Sequence, residues 1–311
     1  MAADSHAAFV VRQCNNYWIT AEQISKERMN CMDAQRIREL EKKAHELRVT
    51  GLNMVKCARS GHIGGAFSLS EIMAVLYFEK LNIRPEDPKW EDRDRFVLSK
   101  GHATVALYPT LALRGFFPVE DLKTFRRIDS YLSGHAEMTR VPGVDMSTGS
   151  LGHGLSAAVG MAVAAKQLGK SYYTYAVIGD GELEEGQIWE ACMYAGGNRI
   201  DNLIVIVDSN KVQLDGDVDE ILDTGDLEAK FRSFGFHVIS INGHDVKQIS
   251  DAVDEAKATK GKPTVIIANT VKGKGVTFME NTCKWHGKTP CDEEFVLAFD
   301  ELEKISKELE G

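Results

Sequence analysis

YTYAVIGDGELEEGQIWEACMYAGGNRIDNLIVIVDSN, residues 173–210, contains two apolar runs separated by roughly one helix of chain. The runs at 173–178 and 203–208 predict strands, and residues 185–195 predict the helix between them. Downstream, 236–241 reads as a strand, 245–259 as a helix and 264–271 as a last strand. Upstream, 94–99 reads as a short strand, and a small-residue helix over 155–168 follows the glycine-rich joint STGSLGHG at 147–154. Strands that are apolar throughout and alternate with helices predict an α/β doubly wound fold, a mostly parallel sheet with helices on both faces. Earlier still, residues 34–59 carry one apolar helical face that ends at the turn-prone SGHIGG, and a second helix starts at Ser70. Residues 1–33 lack periodicity and read as an N-terminal arm that could wrap a partner subunit. Residues 34–271 form one α/β domain, continued by a lid loop and C-terminal helical tail over 272–311.

The two central strands end differently from an ordinary turn. Sequential parallel strands often lie side by side, about 4.8 Å apart, joined by a right-handed crossover. If these two are neighbours, Asp180 and Asn210 emerge together at the carboxyl edge of the sheet, where open α/β folds bind ligands. A carboxylate and a carboxamide oxygen, with a carbonyl from the turn beyond Asn210, are hard oxygen ligands for Mg²⁺, which completes its shell with phosphates and water. Gly179 and Gly181 would let the backbone approach a phosphate closely. Gly-Asp-Gly alone also reads as a plain turn; its place at a strand end, with a second oxygen ligand at the next strand end, favours the metal.

Composition agrees. The chain has 311 residues, 43% of them apolar, and a formal charge of −9, so its overall field repels nucleic acid, and an anionic ligand needs a dedicated local site. Six scattered cysteines, two of them in segments that read as buried helix, favour a reducing compartment over a disulfide framework. No run approaches the roughly eighteen apolar residues of a membrane span, and the expected location is cytoplasmic. GKS at 169–171 lacks the first glycine of a P-loop, since position 164 is Ala, and no strand is followed by a dinucleotide-binding glycine pattern. Cys283, His286 and Cys291 have neither zinc spacing nor a fourth ligand.

Gly-Asp-Gly followed at this distance by Asn resembles the signature of thiamine diphosphate enzymes. KCARSGHIGGAFSLSEIMAVLYF, DRDRFVLSKGHATVALYPTLALRGF and STGSLGHGLSAAVGMAVA, in this order, are similar to segments of transketolases. The resemblance spans about residues 34–290. It implies the N-terminal, diphosphate-binding subunit of a split transketolase, with a separate C-terminal subunit carrying the pyrimidine-binding domain and a heterotetramer of two copies of each. Its activity would be transfer of a two-carbon ketol unit from a ketose phosphate to an aldose phosphate. The chain alone would be inactive.

Carried over residue by residue, the resemblance makes Asp180, Asn210 and the Val212 carbonyl the metal ligands. Gly181 and His102 would contact the diphosphate, and Gly149 and Leu151 the cofactor rings. His62, His135 and His286 would surround substrate hydroxyls and carbonyl, with His62 and His286 also near the cofactor. Glu185 would relay to the glutamate of the partner that activates the pyrimidine, although a carboxylate at a helix start is also favoured by the helix dipole alone. His62, His102 and His135 each follow glycine at expected loop positions, where binding residues concentrate. VKGKGVTFMEN at 271–281 reads either as a solvated loop or as a lid that brings in His286. The chain departs from the family pattern at Ile63 and Ser150, where proline is usual, at His153, where glutamine is usual, and at Ser209, where Asp or Asn is common. Rivals are a 1-deoxyxylulose-5-phosphate synthase-like enzyme, the α subunit of a 2-oxo acid dehydrogenase, and a non-catalytic assembly subunit that keeps the cofactor fold.

Overall fold

The computed structural model describes residues 13–14, 17–18 and 32–311. Gln13–Cys14 and Tyr17–Trp18 pair antiparallel; the rest of the expected N-terminal arm up to residue 31 lies outside the described residues. The sheet comprises β1 (Arg95–Leu98), β2 (Thr174–Gly179), β3 (Leu203–Ser209), β4 (His237–Asn242) and β5 (Thr264–Asn269). All neighbours are parallel, in the order β1-β2-β3-β5-β4.

Apart from two single turns at Gly64–Phe67 and Val218–Ile221, the α-helices among the described residues are α1 (Ala34–Ala58), α2 (Ser70–Val75), α3 (Thr104–Arg114), α4 (His153–Gln167), α5 (Gly186–Gly197), α6 (Leu227–Ser233), α7 (Val246–Ala258) and α8 (Asp292–Glu310). Successive strand residues point to opposite faces, so Tyr175 and Val177 pack with α1, α2, α3, α7 and α8, while Ala176 and Ile178 pack with α4, α5 and α6. Every residue of β2 and β3 is buried, as expected of central parallel strands. The edge strand β4 is not apolar throughout: only Ile241 is buried, because one flank and part of each face meet solvent. Among the described residues, no helix is long and apolar enough to cross a membrane.

Local signals set the helix ends. Asp33 caps α1 by accepting the N–H of Arg36 at 2.7 Å, a contribution of about 1 kcal/mol. α4 starts directly after the glycine-rich joint and presses on the end of β1. A Cβ on Gly154 would lie 2.5 Å from Ser99 Oγ and 2.6 Å from its Cα, so only glycine admits this approach. The four cysteines in the described core are free, but of the two expected in buried helix only Cys192 is buried; Cys57 faces solvent on α1.

Candidate functional site

The carboxyl ends of the strands open into a cavity of about 340 Å³. β2 and β3 are hydrogen-bonded neighbours, with Gly179 opposite Asp208, so Asp180 and Asn210 do leave the sheet side by side. Asp180 accepts the N–H of Gly181 at 2.9 Å through Oδ1 and that of Lys211 through Oδ2. Asn210 donates through Nδ2 to Asp208 Oδ2 at 2.9 Å, and its Oδ1 accepts the N–H of Val212 at 3.2 Å. Val212 lines the same cavity, so carboxylate, carboxamide and peptide oxygens are all available there. Burial, followed by the charge of Asp208, raises the Asp180 pKa to about 6. A buried carboxylate lifted in this way is stabilised by an incoming cation, and the hard-oxygen donor set suits Mg²⁺.

A buried charge network lies beneath these ligands. Asp208 is fully buried and takes hydrogen bonds from Lys100, Ser68 Oγ at 2.7 Å and Thr270. Burial pushes its pKa up, but the Lys100 ammonium and the hydrogen bonds outweigh that, and the net shift is downward. Glu182, also buried, accepts from Ser99 Oγ, from the Gly152 N–H at 2.8 Å and from the Gly179 N–H at 3.1 Å. One carboxylate thereby ties the end of β1, the 149–152 joint and the tip of β2 together.

The upper wall is imidazole. The rings of His62, His102 and His286 lie with centroids 4.9 to 5.7 Å apart, and His135 stands 6.0 Å from His62. Burial is the largest cause lowering each pKa. His62 falls to about 4, with Arg126 and His135 adding to the effect. His286 falls to about 3, with Lys272 and His62 contributing. His102 and His135 are also lowered, through Lys100 and Arg126 respectively after burial. At neutral pH the wall therefore consists of uncharged rings able to donate and accept hydrogen bonds.

Gly149, Leu151 and Gly181 line the cavity with them. Gly149 has a φ of 155°, and a Cβ there would come within 3.0 Å of the His135 ring. Glu185 is elsewhere: it is exposed, precedes α5 without a side-chain capping bond and does not line the cavity. His153 opens α4, exposed and outside this cavity. The 271–281 segment is packed rather than fully solvated, with Val276 and Met279 buried. Lys272 and Trp285 are buried and His286 is already seated.

Lys100 and Lys272 were not anticipated as site residues, although both line the cavity and both are buried. Lys272 donates to the carbonyls of Val212 at 2.7 Å and Gln213 at 3.2 Å, and lies 2.9 Å from His286 Nδ1. Burial, then Lys100, lowers its pKa to about 8. A signal for both existed: each follows a strand tip by two or three residues, the same criterion that singles out Asp180 and Asn210. An ammonium on Val212 O does not bar a metal there, since a carbonyl oxygen carries two lone pairs. Lys100 is neutralised by Asp208, so of the two it is Lys272, bonded to peptide carbonyls, that can offer charge to a diphosphate.

Comparisons with known proteins bear on the family and the fold. Residues 40–302 fit the model of the transketolase thiamine diphosphate binding domain. The chain is 47% identical over 273 residues to a 6-deoxy-6-sulfo-D-fructose transketolase subunit of a Clostridium species, covering 88% of this chain and 99% of that one. It is 43% identical to an apulose-4-phosphate transketolase subunit of Actinobacillus succinogenes, covering 85% of this chain and 96% of that one. Among solved structures, transketolase from Campylobacter jejuni superposes with a TM-score of 0.81 at 38% identity, over 88% of this chain but 43% of that one. The chain thus spans nearly the whole of these subunit relatives and under half of the solved transketolase.

Proposed function

The chain belongs to the transketolase family, and from that premise we propose that it is the diphosphate- and metal-binding subunit of a two-chain, thiamine diphosphate-dependent ketol transferase. The observation that carries this reading is the convergence of Asp180, Asn210 and the Val212 carbonyl at adjacent strand tips, beneath a wall of neutral histidines. When bound, thiamine diphosphate supplies the carbon nucleophile and the electron sink for cleaving a ketose next to its carbonyl.

The residues of this chain hold and orient. Asp180, Asn210 and Val212 would hold Mg²⁺; Gly181, His102, Lys272 and Asn210 would contact the diphosphate, and Gly149 and Leu151 the rings. His62, His135 and His286 are neutral at the working pH; His62 can donate to a carbonyl oxygen that gains charge, and His135 and His286 can do the same or take a proton from a substrate hydroxyl. A positioned group of this kind typically contributes about 10²- to 10⁴-fold. Glu185, exposed at the start of α5, faces outward, as its proposed relay to a glutamate of the partner requires. Residues 272–311 serve as lid loop and helical tail of the same domain.

The partner is a separate C-terminal transketolase subunit with the pyrimidine-binding domain, in a cytoplasmic heterotetramer. Two relatives carry names that specify 6-deoxy-6-sulfo-D-fructose and apulose 4-phosphate, so the donor is a ketose with a terminal anion, phosphate or sulfonate. Reconstitution with the companion chain, followed by a donor and acceptor panel, tests this. Ketol transfer should appear only with both chains, thiamine diphosphate and Mg²⁺. Turnover of pyruvate with no ketose donor would refute the reading in favour of a synthase or dehydrogenase.

A further inference from the structure

We propose that Arg126 is a positioning residue that fixes the tautomer of His62, so that the imidazole presents an Nε2–H to the substrate. Arg126 has a φ of 58°, in the left-handed region that costs a side chain of this size about 1 kcal/mol or more. The loop closes on it: its N–H donates to Leu132 O at 2.9 Å, and the Leu132 N–H is held by Ser130 Oγ at 3.0 Å. From this backbone the guanidinium donates through Nη1 to Ser60 Oγ at 2.6 Å, and Nη2 lies 3.1 Å from His62 Nδ1. Its Nε is buried without a hydrogen-bond partner, and no carboxylate among the described residues forms an ion pair with it. Gly134 provides the space: a Cβ there would stand 2.6 Å from Nε and 2.9 Å from Cζ. A strained turn, an orphan donor and an unpaired, half-buried cation are thus maintained against one edge of one histidine.

The chemistry of that contact has only one sense. A guanidinium offers five N–H donors, has no acceptor and stays protonated. Nδ1 of His62 must therefore be the bare acceptor, and the single ring proton sits on Nε2. Around the ring stand His102, His135 and His286, each with a lowered pKa, and the Lys272 ammonium contributes repulsion from farther off. Among the described residues, no acceptor is hydrogen-bonded to Nδ1. His62 is thereby kept as a neutral donor, suited to an oxygen that carries or gains negative charge. The catalytic half of this inference rests on the ketol-transfer reading; the tautomer does not.

The test uses the full chain with ¹⁵N-labelled histidine and long-range ¹H–¹⁵N correlation at neutral pH, His62 being assigned from the signals lost in His62→Gln. The wild type should show bare Nδ1 and protonated Nε2. Arg126→Met should give mixed tautomers and raise the His62 midpoint by roughly one pH unit. Arg126→Lys, which retains a cationic donor, should restore the wild-type tautomer, and Arg127→Met, on the exposed neighbour, should leave it unchanged. In the complex with the partner subunit, Arg126→Met should lower kcat by about tenfold or more with a smaller change in KM for the donor sugar. An Nδ1–H in the wild-type chain overturns the inference without any variant, so a misfolded Arg126→Met leaves it decidable. An unchanged tautomer in folded Arg126→Met overturns it as well. A wild-type complex without ketol transfer counts against the proposed function instead and leaves the tautomer result standing.

Discussion

Replacing Lys272 by methionine should move stability and cofactor affinity in different directions. The side chain is 2% exposed, and burial brings its pKa from 10.5 to about 8. At 1.36 kcal/mol per unit, the charged form is disfavoured in the cofactor-free protein by about 3 kcal/mol, against which stand its bonds to Val212 O and Gln213 O. A methionine of similar length removes the charge and leaves those carbonyls to water entering the open cavity. The melting temperature of the free protein should therefore stay level or rise. With thiamine diphosphate the balance reverses, because the lost ammonium would have made a charge-assisted bond worth about 1.5–3 kcal/mol, or roughly ten- to a hundredfold in affinity. Calorimetric titration of the two-chain complex at saturating Mg²⁺, paired with thermal melts with and without cofactor, reads both quantities. Unchanged affinity with a lowered melting temperature would refute the reasoning and make Lys272 a purely structural tether for the 271–281 segment.

Asp180→Ala should abolish Mg²⁺-dependent binding of thiamine diphosphate while leaving the circular dichroism spectrum intact, and unaltered calorimetric affinity would refute the metal assignment. Gly154→Ala drives a methyl group into Ser99 and should destabilise the chain by about 1–3 kcal/mol in urea unfolding; a neutral effect would mean that α4 can shift away from β1. Glu71 is buried between Arg48 and His244; burial raises its pKa, but their charges and hydrogen bonds win and hold it at about 2 against an ordinary 4.5. Because the folded value is the lower one, its stabilisation is complete above about pH 4.5 and disappears as pH falls towards 2. The stability gap between wild type and Glu71→Gln should therefore narrow by on the order of 2 kcal/mol from pH 4.5 to pH 3. A gap independent of pH over that window would show that the ion pair is not what stabilises the α1–α2 contact.

Much of the architecture is legible because its determinants are local. The apolar run at 173–178 is shifted by one residue from the observed β2, and the run at 203–208 stops one residue short of the end of β3. Asp180, Asn210, His62 and His102 lie close to element boundaries that periodicity and turn residues mark, and His135 lies in the long loop before α4. The edge position of β4 was not legible. Its strand propensity resembles that of the central strands, and exposure depends on neighbours that only the assembled sheet supplies.

By itself, the sequence determined the alternation of strands and helices, the carboxylate of Asp180 and the carboxamide of Asn210 at consecutive strand ends and the set of histidines, since each depends on spacing within a few residues. Tertiary structure decided what those groups face. Consecutive strands are neighbours for β2 and β3 but not for β3 and β4, because β5 inserts between them. That exchange brings Thr270 to Asp208 and Lys272 to Val212, just as the β1 edge brings Lys100 to Asp208 across 108 residues of chain. Arg126 reaches His62 in the same way, through a left-handed turn and a glycine gap that no periodicity encodes. A strand or helix is selected by its own residues, whereas which cation neutralises which buried carboxylate or ring is selected by packing among segments far apart in the chain.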